Sequence, residues 1–226
     1  PDGRVRRYRT TDPNDPGMID PRLVEELDVI ADPGRSLTAF DFLLGRTTLI
    51  VGDSAGAIAG YFPAPVEDEL ERRMMTGPQG DGHRLARARR LTAGHGAAIT
   101  AIAASSRSRA FAAADADGAV RAYFMTTGKK LFETRTPDGR PLITASVAPE
   151  QNGLIGLTTG GLARWTMDVG YPAATAGSMF TPTWYEGYPG PIFMWQSSAA
   201  TDSFEAKFSL MPLVFGTLKA TLYPML

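Results

Sequence analysis

The sequence repeats one pattern, in which apolar and polar residues alternate and short turns containing glycine interrupt the alternation. The clearest copy, residues 99–131, has three alternating runs separated by a Ser/Arg turn and an Asp-Gly turn and followed by a Thr-Gly turn. Such runs are typical of strands with one buried face, and such turns are typical of β-hairpins. Residues 37–62 and 142–167 repeat the pattern, and residues 2–8 (DGRVRRY) match residues 117–123 (DGAVRAY) almost position by position. The chain therefore has about three and a half copies of a β-repeat and opens within one of them.

The spacing of the turn glycines indicates the fold. Gly3, Gly56, Gly118 and Gly161 lie 53, 62 and 43 residues apart. The shortest spacing falls within the ~40–45 residues of a four-stranded propeller blade. A single blade cannot bury both faces, so the blades must stack. We predict an all-β, propeller-like array of about three and a half blades, followed by a connector and a short helix. The array is open, is completed by another copy, or is an ordered fragment of a larger domain.

One stretch fits this prediction less well by composition. Residues 110–114 (AFAAA) would form the second strand of the clearest copy, but alanine is a poor strand former. The turn spacing, rather than strand propensity, therefore supports the prediction here.

We expect the repeats to form one domain over residues 1–170. The longer spacings require insertions at residues 9–36 and 63–94. The first insertion has the pattern of a short helix at Pro21–Asp28. The second carries an acidic run followed by a basic run, which predicts a solvated surface segment.

The last part of the chain loses the repeat. Residues 171–209 are rich in Pro, Gly, Ser and aromatic residues without a period, and we predict a connector. Residues 210–226 are mostly apolar with helical spacing, and Ser209 and Pro212 suit a helix start. A membrane-spanning helix needs about 20 apolar residues. We therefore predict only the start of a membrane-proximal helix.

The composition excludes several function classes. The chain has no cysteine, two histidines (His83 and His95), and 23 basic against 24 acidic residues, a net charge of −1. A thiol nucleophile and a cysteine-ligated metal are excluded, and a nucleic-acid partner has no electrostatic basis. Neither a P-loop nor a dinucleotide-binding fingerprint is present. We predict that the protein is not an enzyme and has no catalytic, cofactor-binding or metal-binding residues and no cofactor.

One motif offers a catalytic alternative. Residues 52–56 (GDSAG) match G-x-S-x-G, which in α/β-hydrolases places a serine on a strand-to-helix turn. The residues after Ser54 have a strand pattern, and the chain lacks alternating strands and long helices. A serine hydrolase that uses Ser54 is therefore kept only as a second alternative.

Other motifs favour structural roles. Gly94-His95 and Arg164-Trp165 occupy places that the WD propeller repeat gives to Gly-His and Trp-Asp, which predicts a hydrogen-bonded histidine and a packed aromatic residue. Residues 115–118 (DADG) contain part of a calcium-loop pattern without its first and last ligands, so we predict a turn.

The C-terminal part resembles a known family. Trp195-Gln196-Ser197-Ser198, followed by residues 204–222 (FEAKFSLMPLVFGTLKATL), is similar to the segment that enters the permease core of the phosphate-specific ABC importers. In that family a tryptophan-containing stretch leads into an LVPLxxGTLxxT element and then into a transmembrane helix. Residues 210–213 and 216–218 match this element.

The resemblance implies a non-catalytic periplasmic domain of a phosphate importer permease, for docking or regulation, at the bacterial inner membrane. It also implies a second permease, an ATPase and a periplasmic phosphate-binding protein as partners, with the membrane reached through flanking segments. The incomplete propeller adds a homodimer as a possible assembly. The alternative function is a generic β-propeller interaction module.

Overall fold

The computed structural model describes residues 3–12, 15–30, 32–68, 82–92, 96–200 and 204–225. Most of their regular secondary structure is β. The strands are β1 (Arg4–Asp12), β2 (Asp15–Asp28), β3 (Leu37–Phe42), β4 (Leu49–Asp53), β5 (Ala57–Pro65), β6 (His83–Thr92), β7 (Ile99–Ala104), β8 (Ala110–Asp115), β9 (Ala119–Phe124), β10 (Lys130–Arg135), β11 (Thr144–Val147), β12 (Gly153–Thr158), β13 (Gly161–Thr166), β14 (Trp195–Gln196) and β15 (Lys207–Phe208). The helices are α1 (Ala176–Phe180) and α2 (Met211–Leu222), followed by a 3-10 turn at Tyr223–Met225.

Four antiparallel sheets follow one another along the chain. Sheet A contains β1 and β2, sheet B contains β3 to β6, sheet C contains β7 to β10, and sheet D contains β11 to β13, each in chain order. The first strands of sheets B, C and D lie side by side, and apolar clusters fill the spaces between successive sheets. This is an open, propeller-like arrangement, as the sequence predicts.

The turn between the second and third strands repeats in sheets B and C. Asp53 Oδ1 accepts hydrogen bonds from the amides of Ala55 (2.9 Å) and Ala57 (2.7 Å), and Asp115 Oδ1 accepts two amides in the same way. The turn ends at Gly56 or Gly118, whose φ angles of 80° and 74° favour glycine. Aligning the sheets on this turn and on the strand pairing defines equivalent positions in sheets B, C and D.

Sheet A has the features of the outer half of a blade. In sheets A, B and C, a bulge interrupts the pairing of the last two strands beside an aromatic residue, which is Tyr8, Tyr61 or Tyr123. Strands β1 and β2 therefore correspond to the third and fourth strands of a complete blade. This correspondence agrees with the match of residues 2–8 to residues 117–123.

The predicted short helix at Pro21–Asp28 is wrong, because these residues belong to β2. Charged pairs across the hairpin favour the strand: Glu26 accepts hydrogen bonds from Arg4 (3.0 Å) and Arg6 (3.2 Å). These partners lie about 20 residues away in the sequence, so local spacing does not reveal them.

The second predicted insertion contains a strand. Strand β6 lies within residues 63–94 and pairs with β5 as the fourth strand of sheet B. Its arginines are therefore part of a blade, whereas residues 69–81 lie outside the described residues.

The C-terminal segment begins with α1, which Thr175 and Ser178 cap through reciprocal side-chain hydrogen bonds. Helix α2 forms where the apolar spacing predicts a helix. Its N-cap is Leu210, without a side-chain cap, and Ser209 instead directs its hydroxyl to the carbonyl of Met179 (3.4 Å). Among the described residues, none of the helices is both long enough and apolar enough to cross a membrane.

Candidate interaction surfaces

The spaces between sheets show what a covered blade face contains. Between sheets B and C, Ile50 and Ile58 meet Phe111 and Tyr123 in a buried cluster, and the rings of Phe111 and Tyr123 are 5.8 Å apart. Between sheets C and D, alanines of β8 meet Leu154 of β12. These interfaces are the reference for the two exposed faces of the array.

The first exposed face is on the innermost strand of sheet B. Phe40 is 62% exposed and Phe42 is 43% exposed. In sheet C the equivalent residues, Ile102 and Ala104, are half-buried against sheet B. In sheet D the residue equivalent to Phe42 is Val147, which is buried. Phe40 and Phe42 thus occupy positions that a preceding sheet covers elsewhere.

The position of sheet A explains this exposure. Arg7 donates to the carbonyl of His83 (2.6 Å), Glu25 accepts the amide of Leu85 (2.8 Å), and Tyr61 donates its hydroxyl to the carbonyl of Val29 (3.1 Å). Sheet A therefore lies over most of sheet B and leaves Phe40 and Phe42 of the innermost strand exposed.

Within the described residues, β1 pairs only with β2 and sheet A has no first or second strand. We call the surface formed by Phe40, Phe42 and the inner edge of β1 the first-blade gap. In sheets B and C the corresponding space is occupied by the first and second strands of the blade.

The second exposed face lies at the other end of the array. On sheet D, Ile155 is 41% exposed, Leu157 is 39% exposed and Leu162 is 73% exposed. The equivalent residues of sheet B, including Ile50 and Ile58, are buried against sheet C. The equivalent residues of sheet C are buried against sheet D in the same way. We call Ile155, Leu157 and Leu162 the end face.

A buried ionic cluster holds the C-terminal segment against sheets B and C. The guanidinium of Arg109 donates to the carboxylate of Glu186 and to the carbonyl of Leu44 (3.0 Å), and its Nε lies 3.9 Å from Glu205. The hydroxyl of Thr126 donates to Glu205. Burial raises the pKa of Glu205 above its ordinary value, although Thr126 and Arg109 act in the opposite direction. These contacts satisfy the charges internally, which indicates a structural role.

Lys207 is buried in the same region. Its ammonium donates to Gln196 Oε1 (3.1 Å) and to the carbonyl of Glu205 (3.2 Å). Burial lowers its pKa. Three aromatic rings have their centroids 4.8–5.9 Å from the ammonium, those of Phe204, Tyr185 and Tyr188. Lys207 thus completes its contacts within the C-terminal segment.

The structure does not form the nucleophile turn that the Ser54 alternative requires. Ser54 lies in the turn between β4 and β5, and a strand follows it instead of a helix. Its hydroxyl accepts the amide of Ser36 (3.0 Å). Ser54 therefore stabilises the turn through this hydrogen bond.

The remaining motifs that the structure describes lie in a turn and in the sheets. Residues 115–118 form the predicted turn, and Trp165 packs against the cluster between sheets C and D, as predicted. Arg89 and Arg90 of the basic run bind the carbonyl of Thr126 (2.6 Å) and the carboxylate of Asp32 (2.8 Å). The Gly94-His95 prediction lies outside the described residues. Within those residues, no group of three or more His, Asp or Glu side chains is arranged for a metal ion.

Sequence reasoning missed both exposed faces. A sequence signal for the first-blade gap is present, because residues 2–8 match residues 117–123, which contain most of a third strand. No comparable signal marks the end face, because its alternation resembles that of a covered strand.

Similar solved structures have the same fold. The β-propeller domain of Cps50 (Swd1) from Myceliophteria thermophila is 11% identical with a TM-score of 0.50, and the match covers 65% of this chain and 44% of that one. Raptor from Chaetomium thermophilum is 13% identical with a TM-score of 0.52, and the match covers 76% of this chain and 14% of that one. Both are WD40 β-propeller proteins, so the chain has a β-propeller-type fold and corresponds to less than half the length of either. No protein-family model matches the chain, and no curated protein matches it.

The resemblance to the permeases of phosphate-specific ABC importers is wrong. The structural neighbours are WD40 β-propeller proteins, and nothing connects the chain to that permease family. The residues that carried the resemblance form β14, β15 and the short helix α2. The transporter partners and the inner-membrane location were implied by this resemblance, and no observation on the chain tests them.

Proposed function

We propose that the chain is a non-catalytic interaction module of the β-propeller type, whose binding surface is the first-blade gap. One observation carries this proposal: Phe40 and Phe42 are exposed at positions where sheets C and D have covered residues. Exposed aromatic side chains beside an open strand edge favour association with another polypeptide.

The geometry of the gap defines the chemistry of the partner. A strand added to the inner edge of β1 would satisfy the backbone groups of that edge, and its alternate side chains would point towards sheet B. Apolar residues at those alternate positions would cover Phe40 and Phe42. The partner is therefore a protein that supplies an extended segment or a hairpin with one apolar face.

A peptide from this chain tests the proposal. Residues 98–116 contain β7 and β8, the two strands that occupy the equivalent place in sheet C. We expect this peptide to bind the full chain in calorimetric titration, and the Phe40→Ser/Phe42→Ser variant to bind it at least ~10-fold more weakly. A matched control is Leu162→Ser, which removes an exposed apolar side chain at the opposite end.

Equal binding by the wild-type chain and the Phe40→Ser/Phe42→Ser variant would contradict the proposal. Both substitutions are at exposed positions, so circular dichroism should show an unchanged fold. A variant that loses its β signal would be replaced by Phe40→Thr/Phe42→Thr, which keeps strand-forming residues at both positions.

A second role is favoured by α2, none of whose residues is buried. Its apolar side chains point to all sides, and the hydroxyls of Thr217 and Thr221 donate to the carbonyls of Leu213 and Thr217 at 2.9 Å. Lys219 is the one charged residue of the helix. A helix that is apolar on all sides is expected to be covered by protein or by lipid.

The base of α2 supports the same interpretation. The amides of Ser209 and Leu210 donate to the carbonyls of Met194 (3.0 Å) and Met179 (2.9 Å). Next to these contacts lie the exposed aromatic residues Phe180, Phe193 and Trp195. Aromatic residues are favoured at the boundary between a bilayer and water. We infer that α2 holds the module at a lipid surface.

Vesicle sedimentation tests this second role. We expect the full chain to sediment with phosphatidylcholine vesicles, and Phe215→Ser/Leu218→Ser to leave most of the protein in the supernatant. Leu162→Ser is again the matched control and should sediment like the wild type. If the helix variant sediments to the same extent as the wild type, lipid is not what covers α2.

A further inference from the structure

The two ends of the array have matching features. Tyr61, Tyr123 and Trp165 occupy equivalent positions on the third strands of sheets B, C and D, and each packs towards the preceding sheet. Tyr8 has this position in sheet A, and it is more than half exposed. The outer surface of sheet A therefore presents an aromatic residue of the type that fills a blade interface.

We propose that a second copy of the chain covers the end face with the outer surface of its sheet A, so that Tyr8 of one copy packs on Ile155 and Leu162 of the other. The same relation exists within the chain, where Tyr123 of sheet C packs against Ile50 and Ile58 of sheet B. The interface continues the established sheet-to-sheet packing, and it is distinct from the first-blade gap.

Side-chain size on the end face favours sheet A as the occupant. Gly52 of sheet B faces the first strand of sheet C so closely that a Cβ there would lie 2.7 Å from Ile99. The equivalent residue is Ala114 in sheet C and Leu157 in sheet D. A leucine fits only if no first strand lies as close. Sheet A has no first strand in the part of the chain that the structure describes, so its outer surface leaves room for Leu157.

The placement of the two surfaces determines the symmetry of the dimer. Tyr8 lies in the first sheet of the series and the end face in the last, so each copy contributes one surface to each of two identical contacts. Two such contacts related by a two-fold axis close a ring.

Cysteine cross-linking tests the pairing directly, because the chain has no cysteine of its own. We expect a mixture of full-length Tyr8→Cys and Leu162→Cys chains to form a covalent dimer on oxidation. Neither variant should form one alone, because Tyr8 does not meet Tyr8 and Leu162 does not meet Leu162. Tyr171→Cys, at an exposed position of the C-terminal segment, should not cross-link with Tyr8→Cys.

Two results would overturn the proposal. A covalent dimer from Leu162→Cys alone would mean that two end faces meet each other, and no dimer from the mixture would mean that sheet A of a second copy does not cover the end face. Analytical ultracentrifugation gives a second measurement: Leu162→Glu and Tyr8→Glu should each raise the dimer dissociation constant at least ~10-fold. Mixing these two variants should restore dimers through the one contact that remains intact, and wild-type dimerisation by either variant alone would refute the pairing.

Discussion

Sheets C and D are built on the same register but differ in what surrounds them. Sheet C is covered on both faces, and the residues of β8 that face sheet D are Ala112 and Ala114. Sheet D is covered on one face, and Ile155 and Leu157 occupy the equivalent positions on its open face. Apolar character is therefore the same on covered and open faces. Side-chain size differs, because it depends on how closely another sheet approaches.

The largest expected difference between a covered face and an open face is in the loss of stability when a leucine is truncated on either face of β12. Leu154 of β12 is fully buried against sheet C, whereas Leu157 on the same strand faces outward. We expect Leu154→Ala to lower the free energy of unfolding by about 2–5 kcal/mol, because it leaves a cavity between two sheets. Leu157→Ala should cost less than about 1 kcal/mol at concentrations where the chain is monomeric, because little area is removed from a packed environment.

Urea denaturation monitored by circular dichroism measures both changes. The concentration dependence adds a second control: if a second copy covers the end face, the cost of Leu157→Ala should rise as the protein concentration rises. Equal costs for the two substitutions in dilute solution would contradict the distinction between a covered and an open face.

Much of the architecture follows from the sequence because turns are local. The turns that end at Gly56 and Gly118 depend on an aspartate and on a glycine with positive φ, both of which are visible in the chain. Their spacing predicts the sheets, and the apolar spacing predicts α2. The alanine-rich strand β8, which is unfavourable by propensity, forms because neighbouring sheets on both sides require small side chains.

The errors concern contacts between distant residues. Strand β2 has a helical pattern at its end, and its structure depends on arginines of β1 that local spacing does not reveal. Strand β6 is rich in arginine and resembles a solvated segment, yet Arg89 reaches a carbonyl of sheet C at Thr126. The exposure of Phe40 and of Leu162 depends on which sheets lie against them, and the identity of these two residues does not indicate this.

We expect a smaller loss of stability when a substitution adds a carbon atom to a covered face than when it leaves a cavity there. A Cβ at Gly52 would lie 2.7 Å from the branched carbons of Ile99, whereas a Cβ at Gly60 would meet the flexible end of Met125 at the same distance. We expect Gly52→Ala to destabilise the fold by about 1–3 kcal/mol and Gly60→Ala by less, because methionine can move aside at lower cost than a β-branched side chain.

Thermal unfolding of the two glycine variants gives the comparison. Gly190→Ala is the control, because a Cβ there has no atom within 4 Å and its φ is not positive. It should leave the midpoint nearly unchanged. A Gly52→Ala variant as stable as Gly190→Ala would mean that sheets B and C are not in close contact.

The smallest expected effect is on the pH dependence of folding stability, which differs between the buried carboxyl of Glu205 and the exposed carboxyl of Glu133. Burial raises the pKa of Glu205, so the folded state binds a proton more tightly than the unfolded state does, and stability falls as pH rises from about 4.5 through the raised pKa. Hydrogen bonds from Lys130 and Arg121 lower the pKa of the exposed Glu133 to about 2, so its contribution is lost as pH falls from about 4.5 to about 2. Glu205→Gln should flatten the upper part of the stability profile and Glu133→Gln the lower part, each leaving the other part unchanged. Denaturation midpoints measured at intervals from pH 2 to pH 8 would show this, and a Glu205→Gln profile parallel to the wild type above pH 4.5 would mean that this carboxyl is not shielded by the C-terminal segment.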